Sequence, residues 1–158
     1  NDLKDIFGSS NIDYIISSES SIEHAIQESD LVIGAVYVVG KQAPKVVKNN
    51  MLEKMKPGAV LVDISIDQGG CFESSKPTTH DEPTYLYKDV LHYCVTNMPG
   101  AVPLTATEAL NKATLPYILE LANKGIELAL QENIHLANGL NIKNGEVVHP
   151  AVKEAINL

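Results

Sequence analysis

Val60-Leu-Val-Asp-Ile-Ser-Ile-Asp67-Gln-Gly-Gly70 and, thirty residues beyond Asp67, Asn97-Met-Pro-Gly-Ala-Val-Pro103 decide how this chain is read. The first run is an apolar strand that breaks on a carboxylate and two glycines. The second is a strand end that opens into a turn framed by proline and glycine. Open parallel sheets bind ligands beyond the carboxyl ends of their strands, so both runs put polar groups where a nucleotide or substrate would lie. Glycine at 69 and 70 lets backbone approach a ligand closely or take positive φ, and Asp67 can accept a ribose hydroxyl or relay a proton. The same tetrapeptide reads equally as a strand-to-loop turn with an aspartate cap.

Outward from these runs the pattern is strand, helix, strand. Tyr14–Ser17 is expected as a short strand. Ser20 and Ser21 can cap a helix over 22–28, with Glu23 in its first turn. Asp30-Leu-Val-Ile-Gly-Ala-Val36 is a continuous apolar run of the kind parallel strands carry when helices cover both faces. Pro44 predicts a helix bearing Val46, Val47, Met51, Leu52 and Met55, ended by Pro57-Gly58. Ala59–Ile64 is the next buried strand, Cys71–Lys88 a long polar loop, and Leu91–Thr96 the last strand. From Thr105, whose spacing to Glu108 suits a capping box, helical periodicity runs to about Asn133, with Pro116 as a kink or a second start. The expected class is α/β: a partial doubly wound parallel sheet, followed by C-terminal helices.

Composition bounds the function. The 158 residues are 44% hydrophobic and 20% charged, which suits a globular domain. A formal net charge of −8, with lysine as the sole strong base and no basic stripe interleaved with aromatics, argues against nucleic-acid binding. The lack of arginine removes the usual bidentate clamp on a carboxylate. Cys71 and Cys94 are too few for a disulfide framework and read as reduced thiols, which points to the cytoplasm. No apolar run has membrane-spanning length. Asn1 opens the chain in place of Met, so a piece of something longer is expected.

The remaining polar groups each have a plain alternative. Asn97-Met98-Pro99 can offer an amide and a thioether to a ligand, or form a rigid turn, and the pattern alone favours the turn. Ser17-Ser18 can meet an adenosine or cap a helix, and capping is the simpler reading. Gly34 to Val36 can let a pyrophosphate lie on backbone or pack closely. Thr79-His80-Asp81 is a weak ligand set without a third metal ligand at suitable spacing, so no metal is expected. His24, His92, His135 and His149 are scattered singly. There is no Walker A loop, G-x-S-x-G or G-x-G-x-x-G.

Asp30–Val36, Gly40–Lys45, Met55-Lys-Pro-Gly58, Ile66-Asp-Gln-Gly-Gly70, Thr78-Thr-His-Asp81, Pro83-Thr-Tyr85, Asn97–Pro103 and Ala122-Asn-Lys-Gly125, in that order, closely resemble the alanine dehydrogenases. The alpha subunits of nicotinamide nucleotide transhydrogenase are similar, though Asp-Gln-Gly-Gly followed by Asn-Met-Pro-Gly-Ala-Val-Pro is not expected in them. The resemblance implies NAD-dependent deamination of L-alanine to pyruvate and ammonia, in a cytoplasmic homohexamer. It implies that residues 1–103 are the later half of an NAD domain and 104–158 helices that return to the substrate domain. An N-terminal half would carry the glycine-rich loop and the arginine, lysine and histidine that hold pyruvate. Carried over by position, Asp67 lies beside the nicotinamide ribose and substrate and handles protons. Asn97 and Met98 flank the nicotinamide, Ile64 walls it, Val36 and Tyr37 pass the cofactor, and Ser17 meets the adenosine. The chain departs from the family pattern at Leu104-Thr-Ala-Thr107, which lacks a preceding basic residue, at Gly40-Lys-Gln42 and at Tyr37. Two alternatives remain: a transhydrogenase NAD(H)-binding subunit, or a non-catalytic nucleotide-binding or assembly fragment.

Overall fold

The computed structural model describes residues 2–8 and 11–156. Asn1 lies outside them. Contacts divide the chain into two compact units, one of residues 1–36 and 44–95 and the other of 37–43 and 96–158.

The first unit is built on a four-stranded sheet. Helices α1 (Asp2–Phe7) and α2 (Glu19–Gln27) precede β1 (Leu31–Gly34), and β2 (Val60–Asp63), β3 (Thr84–Tyr87) and β4 (Val90–Tyr93) complete it in the order β1-β2-β4-β3. β1 runs parallel to β2, with Leu31 opposite Val60 and Gly34 opposite Asp63. β2 runs parallel to β4 from Val60 opposite Leu91. The carboxyl ends of these three strands therefore share one edge of the sheet, the edge at which open α/β sheets hold ligands. The core beneath is apolar: Leu61, Phe72, Met51, Leu52, Val90 and Val95 are each at most 1% exposed. Leu31 and Ile33, on one face of β1, remain more than half exposed, so the run does not have both faces covered among the described residues.

Several sequence expectations are corrected by the structure. Tyr14–Ser17 forms no ladder; its residues are exposed, and Ser18 caps α2, with the Ser18 and Ser21 hydroxyls bonding each other's backbone N–H. Helix α2 therefore starts at Glu19, ahead of the expected caps at Ser20 and Ser21. The stretch after Pro44 is not a helix. Val46 N–H donates to Cys71 O at 2.8 Å and Glu73 N–H donates to Val47 O at 2.9 Å, so these backbone groups pair with a distant segment, and only Met51–Lys54 makes a single 3₁₀ turn. β-Branched Val46 and Val47 suit that extended pairing better than a helix. The expected loop 71–88 contains β3, which returns antiparallel onto β4 through a two-residue turn, Lys88 at φ 51° and Asp89 at φ 59°. Paired positive φ values match the twist of a hairpin, but Lys-Asp lacks the glycine that would announce it.

The second unit is mainly helical: α3 (Pro103–Lys124), α4 (Ile126–Glu132), α5 (Ile134–Asn138) and α6 (Pro150–Ala155), with a small hairpin of β5 (Ile142–Lys143) and β6 (Glu146–Val147). α3 opens on Pro103 at its first position, where the missing N–H costs nothing, and its cap Val102 makes no side-chain bond, so the expected Thr105–Glu108 capping box is not the start. The helix continues through Pro116 and stops at Gly125, φ 75°. Asn133 then accepts from the N–H groups of His135 and Leu136 and caps α5.

Candidate functional site at the carboxyl edge of the sheet

Asp63, the last residue of β2, is fully buried, and no cation pairs with it among the described residues. A buried carboxyl group is tolerated only when its oxygens are hydrogen-bonded. Oδ1 accepts from Ser65 N–H at 3.0 Å and from the Cys71 thiol at 3.5 Å. Oδ2 accepts from Cys71 N–H at 2.8 Å and from the Ser75 hydroxyl. These bonds gather both ends of the segment that follows β2. Ile64–Gln68 forms a 3₁₀ turn with Asp63 as its cap, and Gly69 and Gly70 leave it at φ 87° and 76°. A Cβ at Gly70 would stand 2.7 Å from Asp63 Oδ2 and 2.8 Å from Ser75 Cβ, so glycine is required there by space as well as by φ.

Two further side chains hold the turn. Ser65 Oγ accepts from Val36 N–H and donates to Val36 O, both at 2.8 Å, which ties the end of β1 to the start of the turn. Lys45 Nζ donates to the carbonyls of Gly69 at 2.5 Å and Gly70 at 2.8 Å. Within this frame Ile64 and Asp67 face solvent, Ile64 at 52% exposure. The exposed isoleucine stands one residue past the strand end and the exposed carboxylate four.

The expected site residues fall as follows. Val36, Ile64 and Asp67 belong to the first unit and stand on adjoining segments linked by Ser65. Both backbone groups of Val36 are already bonded to Ser65, so its side chain is what it can offer a ligand. Ser17 is exposed just ahead of the α2 cap. Tyr37 is 70% exposed in the second unit. Asn97, in left-handed backbone at φ 52°, leads into the 3₁₀ turn Met98–Ala101 and lines a groove of about 620 Å³ with Pro99, Gly100, Pro103 and Leu110. Asparagine is one of the few residues that enter left-handed backbone readily. Gly34 packs: a Cβ there would meet Cys71 Sγ at 2.3 Å and the Phe72 ring at 2.6 Å. Thr79 and His80 sit in a loop where Glu82 N–H donates to Thr79 Oγ1. Asp63, Ser65, Ser75 and Lys45 were not singled out from sequence. A charged residue inside the apolar run Val60–Ile64 is the one signal that marks Asp63.

The neighbouring polar core is closed. His92 Nδ1 bonds Val90 O at 3.0 Å and Nε2 bonds Ser74 Oγ at 2.7 Å, with the Tyr85 ring stacked 4.9 Å away. Burial pushes the His92 pKa down and the Tyr85 pKa up. Burial first, and then the Asp63 charge, push the Cys71 thiol up to about 11, so it is no nucleophile at neutral pH. Among the described residues no three His, Cys, Asp or Glu side chains gather as a metal-holding group, and no helix is long and apolar enough to cross a membrane.

The exposed groups of this turn are one hydrogen-bond acceptor and one apolar side chain. An exposed carboxylate can accept ribose hydroxyls and an exposed apolar residue can lie against a ring. Together they do not supply the glycine-rich turn that cradles a pyrophosphate.

Residues 1–150 match the family model described as alanine dehydrogenase/PNT, C-terminal domain, an NAD-binding family. The chain is 56% identical over 144 residues to the alanine dehydrogenase of Halomonas elongata, covering 91% of this chain and 39% of that protein. It is 51% identical to that of Staphylococcus saprophyticus, covering 99% and 42%. A solved L-alanine dehydrogenase superposes with a TM-score of 0.80 at 48% identity, over 98% of this chain and 42% of that one. A transhydrogenase from Sinorhizobium meliloti shares the fold, with a TM-score of 0.67 at 24% identity, over 94% and 40%. The chain spans about two fifths of the length of the relatives it matches.

Proposed function

This chain belongs to the alanine dehydrogenase/PNT C-terminal domain family, and from that premise we propose that it is the C-terminal portion of an NAD-dependent alanine dehydrogenase. The enzyme interconverts L-alanine with pyruvate and ammonia, works in the cytoplasm and assembles as a homohexamer. Residues 1–103 complete the NAD domain and 104–158 return to the substrate domain. An N-terminal half of the same enzyme supplies the glycine-rich loop and the cationic groups for the substrate carboxylate.

The observation that carries this reading is the exposed Ile64–Asp67 turn, held at the carboxyl edge of a parallel sheet by a buried aspartate. When bound, the nicotinamide supplies a two-electron hydride acceptor. The protein's own part is positioning and proton handling. Asp67 accepts from the ribose and steadies or relays the proton of the cationic nitrogen intermediate. Ile64 packs on the nicotinamide wall and excludes water, Asn97 and Met98 flank the ring, Val36 and Tyr37 line the cofactor's path, and Ser17 meets the adenosine.

The test is turnover of the full-length polypeptide with L-alanine and NAD, followed as NADH absorbance. Asp67→Asn is expected to cut kcat much more than it weakens NAD binding, because the amide keeps size and one acceptor but loses the charge. Residues 1–158 alone are expected to show no turnover and only weak NAD affinity. NADH formation by that piece alone would overturn the division of labour. Hydride exchange between nucleotides without any response to alanine would favour the transhydrogenase alternative.

A further inference from the structure

We infer that Asp63, Ser65, Ser75 and Lys45 form a positioning clamp that sets the placement of Asp67 and Ile64 for hydride transfer. The inference rests on the reading of Asp67 as the group beside the nicotinamide.

Four observations converge on one turn. Asp63 bonds the backbone at both of its ends, through Ser65 N–H and Cys71 N–H, and does so from a fully buried position. Ser75 adds a hydroxyl to the same carboxyl oxygen that receives Cys71 N–H. Ser65 carries the constraint to β1 by pairing with both backbone groups of Val36. Lys45 takes the two carbonyls that leave the turn at Gly69 and Gly70. Two adjacent glycines at positive φ would otherwise make this the loosest segment of the edge. A buried carboxyl group is a costly way to fill a core position, since an apolar side chain of similar volume would pack without needing partners. Its geometric return is that one side chain closes the nine-residue segment Asp63 to Cys71 around the exposed carboxylate. A hydride-transfer site depends on such closure, because an error of about 1 Å in placement costs on the order of a hundredfold in rate.

The experiment uses the full-length polypeptide with Ser75→Ala, Ser75→Thr, Lys45→Met, Asp67→Asn and Gly58→Ala. Gly58 has φ 80° and nothing within 4 Å of a Cβ, so Gly58→Ala destabilises the domain without touching the turn. Steady-state kcat and KM for NAD and alanine are measured per folded molecule, well below each variant's Tm. Ser75→Ala and Lys45→Met are expected to lower kcat by about tenfold or more with KM for NAD changed less than about threefold. Ser75→Thr, which keeps the hydroxyl, restores turnover, and Gly58→Ala leaves it at the parent value. If Asp67→Asn abolishes turnover while Ser75→Ala and Lys45→Met keep the parent kcat, the clamp is structural only and the inference fails. If Asp67→Asn is itself without effect, the reading of Asp67 fails instead. A kcat loss in Gly58→Ala equal to that in Ser75→Ala would also overturn the clamp, since it would trace the loss to stability.

Discussion

Ser65 and Val36 exchange two hydrogen bonds of 2.8 Å, the serine hydroxyl accepting from the valine N–H and donating to its carbonyl. One side chain thus substitutes for a rung of sheet where β1 and β2 have stopped pairing. It joins Val36, proposed above to line the cofactor's path, to the turn that bears Asp67.

Ser65→Ala leaves both Val36 groups without that partner. A loss of about 1–3 kcal/mol in unfolding free energy is expected from urea titration, most of it the desolvation of orphaned backbone. A change under about 0.5 kcal/mol would mean that water replaces the hydroxyl on both groups.

Gly70→Ala and Gly58→Ala separate space from backbone strain. Both glycines have positive φ, but only Gly70 has Asp63 Oδ2 and Ser75 Cβ within 3 Å of a Cβ. Gly58→Ala is expected to cost about 1–2 kcal/mol, the ordinary left-handed penalty. Gly70→Ala should cost more, by about 1–3 kcal/mol of overpacking. Equal Tm shifts for the two variants would refute the steric part.

Cys71 should be silent to thiol reagents in the folded protein at pH 8 and react on unfolding. Its folded pKa of about 11 lies above the value of about 8.5 expected for an unfolded thiol. A group raised in this way supports the fold fully below the unfolded value, and that support is lost as pH rises from about 8.5 toward 11. Stability measured across this window should fall in the parent and fall less in Cys71→Ala.

His92 works at the other end of the scale. Burial holds its pKa below the ordinary value of about 6.5. The neutral ring is the form that donates to Val90 O and accepts from Ser74 Oγ. Its contribution is present above about pH 6.5 and is lost as pH falls through the lower folded value. Unfolding free energy should decline on acidification below pH 6.5, and His92→Gln should flatten that slope while lowering the plateau. An unchanged slope would assign the acid sensitivity to other groups.

The parts of this protein that depend on near neighbours are legible in the order of its residues. Continuous apolar runs marked β1 and β2, because a strand inside a parallel sheet needs apolar residues wherever it sits. Helical spacing marked the long stretch that became α3 and α4, but the sequence placed its interruption at Pro116, whereas the helix runs through Pro116 and breaks at Gly125. Asp67-Gln-Gly-Gly70 was legible as a turn beyond a strand end, and the order of its motifs was legible as a family. Tertiary structure decided what depends on distant partners. Val46 and Val47 pair with Cys71 and Glu73 in place of forming a helix, and Tyr14–Ser17 has no strand partner. β3 arose by pairing with β4 through a turn whose residues carry no hairpin signature. Asp63 reads in sequence as a flaw in an apolar run. Only the fold, by bringing Ser65, Cys71 and Ser75 to its two oxygens, makes it the fixed point of the turn, because hydrogen-bond satisfaction of a buried group is a property of the assembled neighbourhood and not of the residue.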